Sequence, residues 1–283
     1  MKPARRHGWG VVEFLIAIAL GLLLTLLGSG LLLASSGNYR NHSDNVWLSD
    51  GGRYALAVMA QAIRQGAYSN WDSEAAAPVP DSLSIEGLDA ASISRNSDGI
   101  SSPLPPVANG SDVLALRFAG ADDNASLNCG GFAVPGDTRG WSIFYVAADA
   151  AGEPELRCKY RGAAGWGGDA VVRGVESFQV LYGIDLDTPL DGVPNTYLNA
   201  TAVAASAAWK RVCSVKLALL LRGAANSRAD TVAGRFDLFG PAYAEAHPDD
   251  AGVRVDEGRL PPAERWRARR VFSLTVALRN RDG

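Results

Sequence analysis

No charged residue occurs in the 26 positions between Glu13 and Arg40, and most of those positions are Leu, Ile, Ala or Gly. A run of that kind has few structural outlets. A bilayer core is crossed by about 20 apolar residues in helical form. Phe14 to Ala34 supplies 21 residues, with Thr25 and Ser29 as its hydroxyls. Ahead of the run lie Lys2, Arg5 and Arg6, with no acid before Glu13. The positive-inside rule keeps this leader cytoplasmic and sends the chain after Arg40 to the far side. The 283 residues are 47% hydrophobic, enough for a folded body, and carry a formal charge of −3. Setting the basic leader aside makes the body more acidic still, which disfavours nucleic acid as a partner.

Glu13 separates three readings of the apolar segment. A cleaved secretory signal has an apolar region of about 7 to 15 residues ending in small residues. Ala34 and Ser36 before Gly37 could serve, but the run is too long and Glu13 has no use there. A plain membrane anchor also leaves the acid unexplained, because a carboxylate on a spanning helix is costly unless neutralised or paired. The third reading supplies a partner. Cutting after Gly8 makes Trp9 the first residue and Glu13 the fifth, and creates a new α-amino group. Four residues of helix span about 6 Å, so the amine and the acid can pair within one subunit or between stacked neighbours. Lipid then penalises a lone subunit, and docking relieves the penalty.

Arg5-Arg6-His7-Gly8 followed by Trp9-Gly10-Val11-Val12-Glu13-Phe14-Leu15-Ile16-Ala17 resembles the class III signal of type IV pilins and type II secretion pseudopilins. The resemblance implies that prepilin peptidase cuts between Gly8 and Trp9, that Trp9 becomes N-methylated, and that Glu13 is the assembly acid. The sequence departs from the usual pattern in having Trp9 and Gly10 where family members have Phe or Met followed by Thr or Ser.

Past the span, Val46, Ala55, Val58, Met59, Ala62 and Ile63 recur at three- and four-residue spacing, which extends the helix to about Tyr68 as an amphipathic half. Unbroken from Glu13, it would be about 84 Å long. Gly37 and the Gly51-Gly52 pair predict local melting, since each Gly costs about 1 kcal/mol against Ala. Residues 73–110 are rich in Ser, Ala, Pro, Gly and Asp and read as a connecting region. Strand-like runs follow at Val113–Phe118, Trp141–Ala147, Leu156–Tyr160, Val175–Ile184, Val212–Leu221 and Val271–Leu278. Phe178, Val180, Tyr182 and Ile184 share one face, as do Phe272, Leu274, Val276 and Leu278. The fold class expected is α+β, a long N-terminal helix packed on an antiparallel sheet. The expected organisation is a leader over 1–8, a spanning segment over 9–34 and an amphipathic helix half over 35–68. A connecting region over 69–111 and a sheet head over 112–283, with a long loop near 223–265, complete it.

Further segments narrow the resemblance. Gly52-Arg53-Tyr54-Ala55-Leu56, Ala62 to Tyr68, Val175 to Asp185, Trp209-Lys210-Arg211-Val212 and the closing Arg269 to Asn280 resemble the PilW family of minor pilins. That likeness implies a pilin fold and a low-abundance subunit, related to the J-type pseudopilins, that primes type IV pilus assembly near the tip. It further implies adhesion and twitching motility as the pilus functions served. The implied partners are other minor pilins, the major pilin, prepilin peptidase, an inner-membrane assembly platform and a large tip adhesin. The implied location is the inner membrane with a periplasmic body, then the pilus. A type II secretion minor pseudopilin is the alternative, and a membrane-anchored periplasmic binding or enzymatic domain a more distant one.

The remaining chemistry is sparse. Three cysteines suit an exported domain. Cys129 and Cys158 flank the Trp141 hairpin and form the better disulfide pair, with three reduced thiols or an intermolecular bond as alternatives. Cys213 shares a face with Val215, Leu217 and Leu219 and reads as a buried thiol. No metal or cofactor is expected: His7, His42 and His247 are scattered, and Asp185, Asp187 and Asp191 before Gly192 lack the bidentate Glu of a calcium loop. Gly162 to Gly168 reads as a turn between strands rather than a phosphate cradle. Arg265, Arg267, Arg269 and Arg270 around Trp266 read as exposed charge before a final strand. No GxSxG, Cys-His pairing or HExxH points to an enzyme.

Overall fold

The computed structural model describes the backbone of residues 10–69, 83–123, 125–225, 227–228 and 232–280; the side chains of residues 33–44 are not described. The leader over 1–8 and residues 70–82 of the connecting region lie outside the described residues.

One helix, α1, runs from Val11 to Gln65. Its 55 residues make a rod about 82 Å long. Over Val11–Leu32 it has a mean hydropathy of 2.5, is unburied among the described residues, and is long and apolar enough to cross a membrane. Its other end is half in the core. Leu48, Ala55, Met59, Ala62 and Ile63 are buried along one stripe, while Val46, Trp47 and Tyr54 stay exposed. Val46 therefore does not belong to the buried face that its spacing predicts.

The helix does not melt at Gly37 or at Gly51-Gly52. The pair lies where two strands approach closely: a Cβ on Gly51 would sit 2.9 Å from Val172 Cγ2, and one on Gly52 would sit 2.5 Å from the Phe272 ring. The helical propensity lost at these positions is repaid by contact that no larger residue permits. The helix ends at Gly66, whose N–H donates to the carbonyls of Ala62 and Ile63. Ala67 follows in the left-handed region, φ 58°, and its N–H donates to the Arg117 carbonyl (3.0 Å), which ties the helix end to a strand.

The head contains two larger sheets rather than a single one. Strands β1 (Ile85–Leu88), β2 (Val113–Ala119), β3 (Arg139–Ala148), β4 (Pro154–Gly162) and β5 (Gly165–Arg173) form an antiparallel meander in chain order. Strand β6 (Val175–Ile184), β7 (Thr196–Leu198), β8 (Val212–Arg222) and β11 (Arg269–Ala277) form the second, in the order β11-β8-β6-β7. Between β7 and β8 lies a short helix, α2 (Ala200–Ala205); between β8 and β11 lie β9 (Arg235–Asp237), α3 (Pro241–Ala246) and β10 (Arg254–Asp256). The chain changes sheets at Gly174, φ 72°, where a Cβ would come within 2.6 Å of the Arg222 carbonyl oxygen.

The inner faces of both sheets and the buried stripe of α1 share one core, which includes Leu114, Phe144, Leu156, Phe178, Val180, Leu217 and Leu219. The outer faces are covered too. The segment carrying Ala91 and Ile93 packs on Val113, Ile143 and Tyr145, and the segment carrying Leu238, Val255 and Leu260 packs on Ala218 and Leu220. The connecting region and the long loop are thus covers with their own short strands. Their polar links are buried: Asp112 accepts from the N–H groups of Ala90 (3.0 Å) and Val180 (2.8 Å), and Gln179 Nε2 donates to the Gly110 carbonyl (2.9 Å).

Gly52→Val is expected to lower head stability by about 1–3 kcal/mol, because the added methyls overpack the Phe272 contact. Gly28→Ala, with nothing within 4 Å of the new Cβ, is expected to leave it unchanged. Urea denaturation of the two full-length variants, followed by tryptophan fluorescence, checks the contrast.

Candidate assembly surface

Glu13 stands in the first turn of α1, where a negative charge complements the helix dipole. Its Oε2 accepts from the N–H of Gly10 (2.9 Å). Around and beyond it, Val11, Phe14, Leu15, Leu22 and Leu26 are exposed on a helix with no packed neighbour among the described residues. Gly8 and Trp9, the expected cleavage and methylation positions, lie outside the described residues. The acid therefore closes on its own first turn, at the head of a shaft long and apolar enough to cross a membrane.

The rigid end of the shaft is a head held by buried charge. Arg269 grips Glu176 with two nitrogens, Nε to Oε2 at 2.5 Å and Nη2 to Oε1 at 3.0 Å, and donates Nη1 to Glu257 at 2.8 Å. Arg222 reaches Glu153 (2.9 Å), Glu176 (3.4 Å) and Glu264 (3.3 Å). Arg228 pairs with Glu257 (2.9 Å), and Arg267 with Glu153 (3.2 Å). Four arginines face four glutamates, and Arg269, Glu176 and Glu257 are fully buried. The charges cancel, and the fork of Arg269 meets its carboxylate in the bidentate form that makes burial tolerable.

Burial alone would raise the carboxyl of Glu257, but the N–H groups of Gly234 and Trp266 and the charges of Arg269 and Arg228 hold it below its ordinary value. For Glu153, too, burial is outweighed by Arg222 and Arg267. This arrangement corrects the reading of the arginine cluster. Arg269, on β11, ties Glu176 of β6 to Glu257 of the 223–268 cover, and Arg267 joins that cover to Glu153 just ahead of β4. Arg265 Nε donates to the Leu260 carbonyl (2.8 Å), and the exposed Arg270 bonds Ser49 of α1 (2.8 Å).

All eight residues of the network fall in one stretch of chain with a recognisable family pattern. Residues 143–280 match the family model of PilW, the type IV pilus-assembly protein W. The match spans just under half of the 283 residues. No curated protein and no solved structure matches the chain. The PilW match relates the head to type IV pilus assembly. It begins inside β3 and ends after β11, so it includes the second sheet and its cover and excludes α1.

The other residues singled out by sequence are placed as follows. Cys129 and Cys158 are joined by a disulfide, their Cα atoms 6.0 Å apart, which fastens the loop before β3 to β4 at the border of the PilW-matching segment. Cys213 is a buried thiol outside this disulfide, and its Sγ donates to the Gly183 carbonyl (3.5 Å). Asp185, Asp187 and Asp191 do converge, with ligand oxygens within 4.8 Å of one another. Their carboxylates accept from the N–H groups of Asp187, Gly192 and Val193 and from Asn195 Nδ2, which makes a braced turn. Asp185 is buried rather than part of a solvated tip. Of the Gly162–Gly168 run, Gly162 ends β4, Ala163-Ala164 is the turn, and Gly165 to Gly168 belongs to β5.

Sequence reading missed the ion network. Its one visible trace is Glu176, an acid between Val175 and Phe178 in a strand with no other charged residue, and such a position demands a cationic partner once buried.

Glu176→Gln is expected to destabilise the PilW-like head by about 3–5 kcal/mol, because Arg269 and Arg222 are left buried without their shared carboxylate. The depressed Glu153 and Glu257 carboxyls contribute stability that is present above their unfolded value of 4.5 and is lost as pH falls through their lower folded values. Urea midpoints should therefore fall as pH is lowered below about 4.5. Glu257→Gln should flatten that fall, and an unchanged slope would remove Glu257 as a contributor.

Proposed function

We propose that the protein is a structural minor pilin, incorporated at or near the tip of a type IV pilus, where it primes assembly with other minor pilins. The observation that carries this reading is a single unbroken helix. Its first 22 described residues are bare and apolar, and its last turns are packed into a head that matches PilW. A helix so divided suits a subunit that waits in a bilayer and then exchanges lipid for neighbouring helices, without refolding its head.

In this reading prepilin peptidase removes residues 1–8 between Gly8 and Trp9, and Trp9 is N-methylated. The body stands in the periplasm until an inner-membrane platform inserts the subunit among other minor pilins and the major pilin, with a large tip adhesin as a further partner. Adhesion and twitching motility are the outputs that the filament serves. Glu13 pairs in the assembled filament with the α-amino group that the cut creates at Trp9, so that an unpaired acid in lipid favours docking.

Glu13→Ala should still insert and be processed, yet its share in sheared filaments relative to membranes should fall by about a hundredfold, the scale set by a lipid penalty of ~3 kcal/mol. Wild-type incorporation would refute the pairing. Gly8→Val should leave the leader on, read as an intact mass that retains residues 1–8. Deletion of the gene should abolish surface pili; loss of protein secretion with normal piliation would instead assign the subunit to a type II secretion system.

A further inference from the structure

Among the described residues each of the two larger sheets ends in two edge strands, and three of the four are blunted. Strands β1 and β7 are four and three residues long. Strand β5 carries glycines, Asp169, Arg173 and a shift of register against β4. All of these discourage a further strand. Strand β11 has none of them. It pairs with β8 over nine residues without a shift of register, and Val271 to Ala277 holds no Pro, Gly or charged residue. Its open side is at the surface: Ser273, Thr275 and Ala277 are exposed, whereas all but one of the eleven residues of β8 are buried.

The ladder fixes which backbone groups face outward. The N–H of Leu278 donates to the Cys213 carbonyl (2.9 Å), and the N–H of Gly223 donates to the Ala268 carbonyl (2.7 Å). Between these two pairs, antiparallel alternation turns the backbone groups of Arg270, Phe272, Leu274 and Val276 toward β8. The N–H and C=O groups of Val271, Ser273 and Thr275 therefore point away from it, and they bond no described residue. Neither flanking segment bonds this edge. The Trp266 carbonyl accepts from the Arg228 N–H (3.2 Å), and Asn280 Nδ2 donates to the Gly66 carbonyl (3.4 Å).

The edge also has a sign. It is bordered by α1, which runs in the same direction as β11: Arg270 Nη1 donates to Ser49 Oγ (2.8 Å), Gly52 meets the Phe272 ring, and Gly66 meets Leu278. Arg53 stands about one turn beyond Ser49, and Arg64 about three turns beyond Arg53, both exposed on that flank of the helix. Together with Arg270 and Arg279 they carry four guanidinium charges that form no ion pair with a described residue. The one acid of α1 between Val46 and Gln65, Asp50, faces the groove beside β5 instead. A second copy would bring the same arginines to the edge, and in antiparallel pairing its shaft would point the opposite way. We propose that an extended, acidic segment of a partner protein adds to β11 as a fifth strand of the second sheet, its backbone bonding Val271, Ser273 and Thr275 and its carboxylates reaching Arg53 and Arg270. Backbone pairing supplies affinity, and charge supplies selectivity. This inference needs only the head and the helix turns packed on it, so it does not depend on the pilin reading.

The test uses the full-length protein in uncharged detergent micelles and the peptide acetyl-Glu-Val-Thr-Val-Glu-amide, followed by calorimetry and sedimentation. Saturable binding with a Kd below about 1 mM is expected, weakened about tenfold when Arg53→Gln and Arg270→Gln are combined. Ser273→Pro removes an outward N–H without touching a bond to β8 and should abolish binding by a folded head. Thr275→Pro, at the next outward position, tests the same edge independently, so the result does not hang on one variant. No saturation by the acidic peptide, equal binding of acetyl-Lys-Val-Thr-Val-Lys-amide, or undiminished binding by either folded proline variant would each overturn the proposal. So would a dimer in the micelles that Ser273→Pro dissolves, since it would assign the edge to a second copy.

Discussion

The close contact of α1 with β5 and β11 at Gly51 and Gly52 is the constraint on which the rest of the molecule depends. It lets a helix with a bare apolar half enter a head without bending, and it brings Leu48, Ala55, Met59 and Ile63 into the core that both sheets share. Without that seat the shaft and the head would be two bodies joined by a hinge. With it, a displacement of the shaft is a displacement of the head.

The head spreads its burial over three layers. The central strands β6 and β8 are buried on both faces, apolar toward α1 and the first sheet, and partly polar toward the covers. Polar groups in that outer layer are satisfied one by one: Asp112 and Gln179 take the connecting region, while Glu176 and Glu257 take the 223–268 cover through arginines. Apolar packing alone would hold the covers loosely in register. Directional bonds to fixed carboxylates set each cover in one position.

Much of this was legible in sequence, and the gaps have physical causes. The apolar run, the helix continuing past it and the strands starting at Val113, Val175 and Val212 follow from period and length alone. The number of sheets did not, because β5 is glycine-rich (GWGGDAVVR) and resembles a turn, and because the switch at Gly174 is a single residue. Melting at Gly51-Gly52 was the wrong inference, since propensity cannot register what approaches a helix from outside. The arginine cluster looked like solvated charge, because its partners Glu153, Glu176 and Glu257 are scattered along the chain and meet only after β6, β8 and β11 are paired. Of the assembly surface, Glu13 and the shaft were readable; of the fold, β1 was not, because IEGL is too short to announce a strand.

The account turns on whether the chain begins its working life at Trp9. Intact mass and N-terminal peptide mapping, on protein from membranes and from sheared filaments, measures that directly. An N-methylated Trp9 at the start of the protein in both fractions is the predicted result. A start at Met1, with the protein confined to membranes, would contradict the account and leave a simple anchored domain.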